Sequence, residues 1–286
     1  MSEMSDTVCP KAYFGLNSLL RHKSGPVLVH SDLIRASGGV RGTRDRLSML
    51  HAHWELISRA AEGRTLWMPT FNYDFVRTSN FSTDHDISQV GALTEHFRTT
   101  LASWRSPVPI FSFAGIGPAP LVASGPTIDP FGADSAFARL VDEDGFIVQY
   151  GAKFEDSSTF LHHVERWSGG PLYRYDKIFE GVVSAQSRTE LVVVNYHVRP
   201  KGHHLDYDWS RLEVDLTKRG ILRRFESERF SVAVLEAVGL RQYWSERLAE
   251  DPLYLLDSTS RNWVSDRLEA LGRRFQRQDF EQLRDS

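Results

Sequence analysis

A central mixed β-sheet flanked by helices, an α/β fold with a helical C-terminal third, is predicted by three observations. Two apolar runs, Pro26-Val-Leu-Val-His30 and Arg64-Thr-Leu-Trp-Met-Pro69, bracket a helical pattern over residues 44–61. That strand–loop–helix–strand order is a βαβ unit, whose crossover joins parallel strands. A third run, Phe146-Ile-Val-Gln-Tyr-Gly-Ala152, is almost continuously apolar and reads as a buried strand. Residues 181–198 alternate instead and are rich in Val and Thr, the pattern of an antiparallel hairpin.

The elements follow in order. After the first strand come Ser31-Asp-Leu33 and a glycine loop, Gly38-Gly39-Val-Arg-Gly42. Leu47, Leu50, Trp54, Leu56, Ile57 and Ala60 then recur at helical spacing, with Thr43 as candidate N-cap and Gly63 as candidate stop. A polar, acidic loop is expected over residues 72–86, a helix over 93–101, and strands over 110–114 and 146–151. The hairpin turns near Gln186-Ser187. Amphipathic patterns over 230–248 and 262–275, interrupted by Asp251-Pro252, predict the C-terminal helices. With no repeat, low-complexity tract or linker, the expectation is one domain over residues 10–286 behind a flexible segment, 1–9.

Composition narrows the function classes. The 286 residues are 41% hydrophobic and 25% charged, ordinary for a globular protein. A net charge of −3 without a basic cluster argues against nucleic acid as a partner. No run approaches 18 apolar residues and the N-terminus lacks a signal pattern, so no membrane partner and a cytoplasmic location are expected. Cys9, the single cysteine, excludes an intrachain disulfide framework and a multi-cysteine zinc site. His51 and His53 lack helical ligand spacing and His203-His204 sits in a polar loop, so no metal is expected. Gly115-Ile-Gly117 is followed by prolines that oppose a helix, so it is no dinucleotide fingerprint.

One segment carries chemistry: Asp156-Ser-Ser-Thr-Phe-Leu-His-His-Val-Glu-Arg166. Asp156 and the serines start helices, because their side-chain oxygens accept from first-turn N–H groups. Thr159, His162 and Glu165, three apart, then share a face. A carboxylate beside an imidazole orients it and makes it a better base, and a nearby hydroxyl can hold a substrate or an oxyanion. By itself His-x-x-Glu is also a common solvated pair. His163, about 100° around the helix, is an alternative imidazole.

These residues stand at the end of an ordered series. It runs through Val27-Leu-Val-His-Ser-Asp-Leu33, Gly63-Arg-Thr-Leu-Trp-Met-Pro-Thr-Phe71, Gly91-Ala-Leu-Thr-Glu-His-Phe-Arg98 and Arg105-Ser-Pro-Val-Pro-Ile-Phe-Ser-Phe-Ala114. Ser135-Ala-Phe-Ala-Arg-Leu140 and Gly145-Phe-Ile-Val-Gln-Tyr-Gly151 complete it. In this order and spacing the chain resembles the aminoglycoside 3-N-acetyltransferase family, well over residues 10–170 and loosely beyond. The resemblance implies that family's α/β fold and acetyl-CoA as co-substrate for acylation of an amine. It implies His162 as the base, Glu165 as its carboxylate partner and Thr159 as the alcohol. It also implies Ser31, Asp32 and Leu33 as the cofactor loop, and Arg105 and Ser106 as the Arg-Ser motif that anchors cofactor or structure. Two residues depart from the pattern: Asp32, where a carboxylate repels phosphate unless it turns away, and Val108, where the family motif carries histidine.

The acceptor is open at this level. Asp74, Asp84 and Asp86 would suit a cationic aminoglycoside, whereas Arg166, Arg174 and Lys177 would suit a phosphate-bearing, nucleotide-linked amino sugar. The expectation is a biosynthetic N-acyltransferase acting on an amino sugar. Its alternatives are an aminoglycoside 3-N-acetyltransferase conferring antibiotic resistance and a non-catalytic relative that binds CoA or a sugar. A homodimer is left open.

Overall fold

The computed structural model describes residues 5–21, 24–119, 126–186 and 188–281. Along the chain, α1 (Pro10–Leu20) precedes β1 (Val27–Ser31), α2 (Arg46–Ala60) and β2 (Leu66–Pro69). Then come α3 (Phe75–Thr78), β3 (Asn80–Ser82), α4 (Ala92–Thr100), β4 (Trp104–Arg105), β5 (Phe113–Ile116) and β6 (Thr127–Ile128). The central stretch is α5 (Ala136–Asp142), β7 (Phe146–Tyr150), α6 (Phe154–Ser157), α7 (Phe160–Trp167), β8 (Tyr175–Ala185) and β9 (Arg188–Val198). The last third holds α8 (Trp209–Lys218), β10 (Leu222–Ser227), β11 (Phe230–Glu236), α9 (Ala237–Glu250) and α10 (Ser258–Leu271).

Seven strands form the main sheet in the order β10-β11-β7-β1-β2-β5-β4. Its centre is parallel: β1 pairs with β2 from Val27↔Leu66 and with β7 from Val27↔Phe146. The flanking strands β11 and β5 run antiparallel to β7 and β2, so the sheet is mixed as expected. Strand alternation sends Val27, Val29, Phe146 and Val148 into one core layer with α1, α2 and α4. Leu28, Trp67 and Ile147 enter a second layer with Phe137, Phe160, Val164 and Trp244 from the opposite helices. Burial on both faces is why these strands read as unbroken apolar runs. A smaller sheet, β3-β8-β9-β6, covers a third cluster that includes Phe75, Phe81, Val183 and Val194.

Several boundaries differ from expectation. Residues 230–236 are strand β11, not helix: Phe230-Ser-Val-Ala-Val-Leu235 is rich in β-branched side chains and pairs with the edge of β7. The helix starts only at Ala237. The helix expected over 262–275 is α10, four residues earlier, begun by Asp257 accepting from Ser260 N–H and ended by Gly272 at φ +64°. Asp45, not Thr43, caps α2 through Ser48 N–H. The strand expected at 110–114 begins at Phe113, because Ile110 turns the chain at φ +69°. The loop 72–86 contains α3 and β3, and the hairpin reaches back to Tyr175. Its turn passes Gln186; Ser187 lies outside the described residues. Packing begins before residue 10: Val8 is buried and bridges to Val40, so residues 5–9 are docked rather than loose.

Candidate active site

The parallel strands end on one edge of the sheet, where crevices form as the following loops diverge. After β7 the chain reverses at Gly151, φ +71°, with its Cα so close to the β1 loop that an added Cβ would lie 2.1 Å from the Asp32 carbonyl oxygen. Only glycine fits there. The segment that follows is not one helix from Asp156. It is the single turn α6, a break at Ser158, and then α7 with Thr159 at its N-cap in helical geometry. The break re-aims the chain, yet Thr159, His162 and Glu165 still share the face of α7.

Glu165 is the centre of the site. Its side chain is fully buried, and its Oε2 accepts from His162 Nδ1 at 2.9 Å and His197 Nε2 at 3.0 Å. The other oxygen, Oε1, accepts from the hydroxyls of Tyr173 at 2.8 Å and Tyr207 at 2.7 Å. The Arg174 guanidinium, also buried, lies 3.5 Å from Oε2 and donates to the Tyr207 hydroxyl at 2.6 Å. Burial pushes the Glu165 carboxyl up, but Arg174 and the bonds from His162 and His197 outweigh it and hold the group well below the usual carboxylate range. The carboxylate is therefore an anion with every lone pair engaged.

His162 is the member of this cluster that faces out. Its side chain is 25% exposed and lines a cleft of about 360 Å³ together with Thr159, Phe131, Tyr196, Tyr207 and Trp209. With Nδ1–H donated to Glu165, the Nε2 lone pair is free for an incoming proton; this tautomer follows from the bonding pattern. Burial first, then Arg174, lowers the ring to about 4 against the pull of Glu165, so at neutral pH it is an uncharged acceptor. His163 has another task. It is fully buried, and its Nδ1 bonds the Phe131 carbonyl at 2.9 Å.

The donor atoms of His162, Glu165 and His197 lie within 4.8 Å of one another, a spacing that would suit a metal ion. Arg174 already supplies the positive charge at that carboxylate, and both imidazoles spend a proton on it. The donor set fits a proton-handling cluster better than a cation site.

The other sequence-predicted residues lie elsewhere or do other work. Ser31 ends β1 with its buried hydroxyl unpartnered among the described residues, and Leu33 packs on the core. The Asp32 carboxylate turns onto its own loop and accepts from Ile34 N–H at 2.9 Å. Gly38 and Gly39 admit the β10–β11 turn and the Tyr150 hydroxyl rather than opening a phosphate cradle. Arg105 is a clip: it donates to the carbonyls of Thr70, Thr83 and Asp86 and to the hydroxyls of Thr70 and Ser112. The Ser106 hydroxyl accepts from Phe113 N–H, and Val108 is buried beside Phe75 and Phe81.

Asp74 and Asp86 brace their own segment through Gln89 and Ser82, Asp84 ties it to the β8–β9 turn through Gln186 N–H, and none of the three is among the described residues lining the cleft. Glu155, Asp156 and Asp206 line it instead. The three cations are all paired internally: Arg166 with Asp129 and Asp176, Arg174 with Glu165, and Lys177 with Glu281. Arg174, His197, Tyr173 and Tyr207 carry no local signal of their partnership, because they reach Glu165 from beyond α7.

Comparison with known proteins matches the chain to one family. The aminoglycoside 3-N-acetyltransferase profile covers residues 28–249. Aminoglycoside N(3)-acetyltransferase VII of Streptomyces paromomycinus is 40% identical over 87 residues, 30% of each chain. Enzyme VIII of Streptomyces fradiae is 38% identical over a stretch of the same length, so the alignment spans about 30% of these curated relatives. Similarity of fold extends much further. "AAC-IIIb binary with CoASH" superposes at a TM-score of 0.67 with 18% identity, over 84% of this chain and 95% of that one. A histidine-to-alanine variant of AAC(3)-IVa in complex with a gentamicin gives 0.64 and 19%, over 90% and 94%. The profile runs well past residue 170, into the part of the chain where the resemblance was expected to be loose. From its profile match and the six ordered motifs, the chain belongs to the aminoglycoside 3-N-acetyltransferase family.

Proposed function

We propose that this protein is an acetyl-CoA-dependent N-acetyltransferase whose acceptor is an amine of an aminoglycoside, with His162 as general base. The observation that carries the reading is the His162–Glu165 pair at the wall of an open cleft, with Nε2 free and Nδ1 fixed. In the reaction an amine nitrogen bonds to the thioester carbonyl carbon, the carbon–sulfur bond breaks, and the nitrogen gives up a proton. That N–H becomes strongly acidic as the new bond forms, so even a weakly basic imidazole accepts it. Glu165 stabilises the resulting imidazolium, and the ring passes the proton to the departing thiolate, which leaves as the CoA thiol. Thr159, half-buried at the start of α7, offers a hydroxyl to the substrate or to the carbonyl oxygen. Cys9, packed against the opposite core layer just before α1, is not needed for direct transfer.

The co-substrate follows from family membership and from the relative whose structure is described as binary with CoASH. The β1 loop keeps Ser31 for it, with a buried hydroxyl in need of a partner; Asp32 and Arg105 are committed within the fold. For the acceptor, carboxylates of Glu155, Asp156 and Asp206 in the cleft favour a polycation. The relative crystallised with a gentamicin points the same way. A phosphate-bearing acceptor loses its support, since Arg166, Arg174 and Lys177 are neutralised internally. CoA thiol release measured with a panel of aminoglycosides and nucleotide-linked amino sugars tests this. Turnover of aminoglycosides is expected; turnover confined to the nucleotide-linked sugars would return the biosynthetic reading, and turnover of neither would leave a binding protein.

A further inference from the structure

The cluster around Glu165 holds more donors than a His–Glu pair needs. Oε2 is shared by two imidazoles, Oε1 by two phenols, and Arg174 bridges from Oε2 to the Tyr207 hydroxyl. The donors come from separate parts of the chain: His162 from α7, Tyr173 and Arg174 from the link to β8, His197 from β9, and Tyr207 from the loop before α8. All of these but His162 are buried. A carboxylate that accepts four hydrogen bonds and faces a guanidinium gives each partner a smaller share of its charge than one bonding a single group.

We propose that His197, Tyr173, Tyr207 and Arg174 are positioning residues that set the basicity of His162 by dividing the charge of Glu165. The inference rests on the reading of His162 as the base. Glu165 holds the ring in one tautomer, while the competing donors stop it from drawing a proton onto the ring before the acceptor arrives. The ring consequently stays uncharged at rest, and its low proton affinity agrees with that. His197 is central because it binds the same oxygen as His162. Its Nε2–H faces Glu165, and its Nδ1 is buried and without a hydrogen bond among the described residues. The other charged groups near the His162 ring are the cleft residues Glu155, Asp156, Asp206 and Arg199. They lie toward solvent, where screening weakens them relative to the buried cluster.

The sign is specific. Removing a competing donor returns charge on Glu165 to His162 and raises the proton affinity of the ring. In His197→Ala the acidic limb of kcat should move up by about one pH unit, equivalent to about a tenfold loss well below it. The KM values should change little. His197→Gln, whose side-chain amide can place an N–H near the position of Nε2, should restore the limb. Tyr173→Phe removes one hydroxyl and keeps the ring, so it reports the same shift should His197→Ala unfold.

NMR titration of the His162 imidazole in the intact protein gives the same answer without turnover, which separates failure of this proposal from failure of the acetyltransferase reading. A raised His162 midpoint in His197→Ala and Tyr173→Phe, with reversal in His197→Gln, supports the proposal. An unchanged or lowered midpoint in either folded variant overturns it, whatever the activity.

Discussion

At the scale of the residue, charge and hydrogen-bond acceptance separate cleanly at Asp206. Its Oδ1 accepts from Trp209 Nε1 at 3.0 Å and Tyr207 N–H at 2.8 Å, which fixes an aromatic wall of the cleft. Asp206→Asn keeps an acceptor oxygen for both bonds and removes only the negative charge. For a partly exposed charge pair the expected loss is about 1 kcal/mol, a rise of about fivefold in KM for a polycationic acceptor. Steady-state kinetics should show KM for acetyl-CoA unchanged, and a rise in both constants would mean that the wall itself had collapsed. The pairing of His162 with Glu165 was legible from spacing alone, because residues three apart on a helix are neighbours. The acidic wall was not: Glu155 and Asp156 stand before α7, Asp206 some fifty residues later, and only the fold unites them. The acidic segment that stands out in the sequence, with Asp74, Asp84 and Asp86, spends its charge on Gln89, on Gln186 in the β8–β9 turn and on Ser82.

At the scale of the element, the loop between β2 and α4 hangs on Arg105. The guanidinium lies over the Phe81 ring and donates to backbone oxygens of Thr70, Thr83 and Asp86, joining β2, β3 and β4. Arg105→Met would leave those acceptors without their donor, a cost of about 2–4 kcal/mol. A lower urea midpoint with faster protease cleavage within residues 72–86 is expected; wild-type values for both would show that the clip is dispensable. The Arg-Ser pair was recognisable in the sequence, whereas its use as a clip was not, because its acceptors are backbone groups that leave no compositional trace. The β1–α2–β2 unit was legible for the opposite reason, since burial on both strand faces and one helix face writes itself into local periodicity. Strand β11 reads as helix in the sequence because Phe230, Val232, Ala233, Val234 and Leu235 are all buried between two layers, and a short run buried on both sides has no period.

At the scale of the whole molecule, buried histidines couple stability to pH. Burial lowers His30, His53 and His163 to about 4, as it does His162. Between that value and the ordinary 6.5 the unfolded chain binds protons that the folded chain refuses, so stability is complete above pH 6.5 and declines as pH falls toward 4. Each fully buried ring contributes on the order of 3 kcal/mol over that range. Denaturant midpoints should be flat from pH 7 to 8 and fall steeply between pH 6.5 and 5; a flat profile through pH 5 would contradict the assignment of these rings as neutral. The central parallel strands, the hairpin and helix α7 were all foreshadowed by pattern or motif. The convergence of α7, β8, β9 and the loop at Tyr207 on one carboxylate was not, because contacts between distant segments are fixed by packing rather than by spacing. The central claim, that His162 is the base of an acetyl transfer, is tested most directly by CoA thiol release from acetyl-CoA and an aminoglycoside with wild-type protein and His162→Ala. A loss of about 100-fold or more in kcat, with acetyl-CoA binding retained, is the predicted result; undiminished turnover in the variant would contradict it.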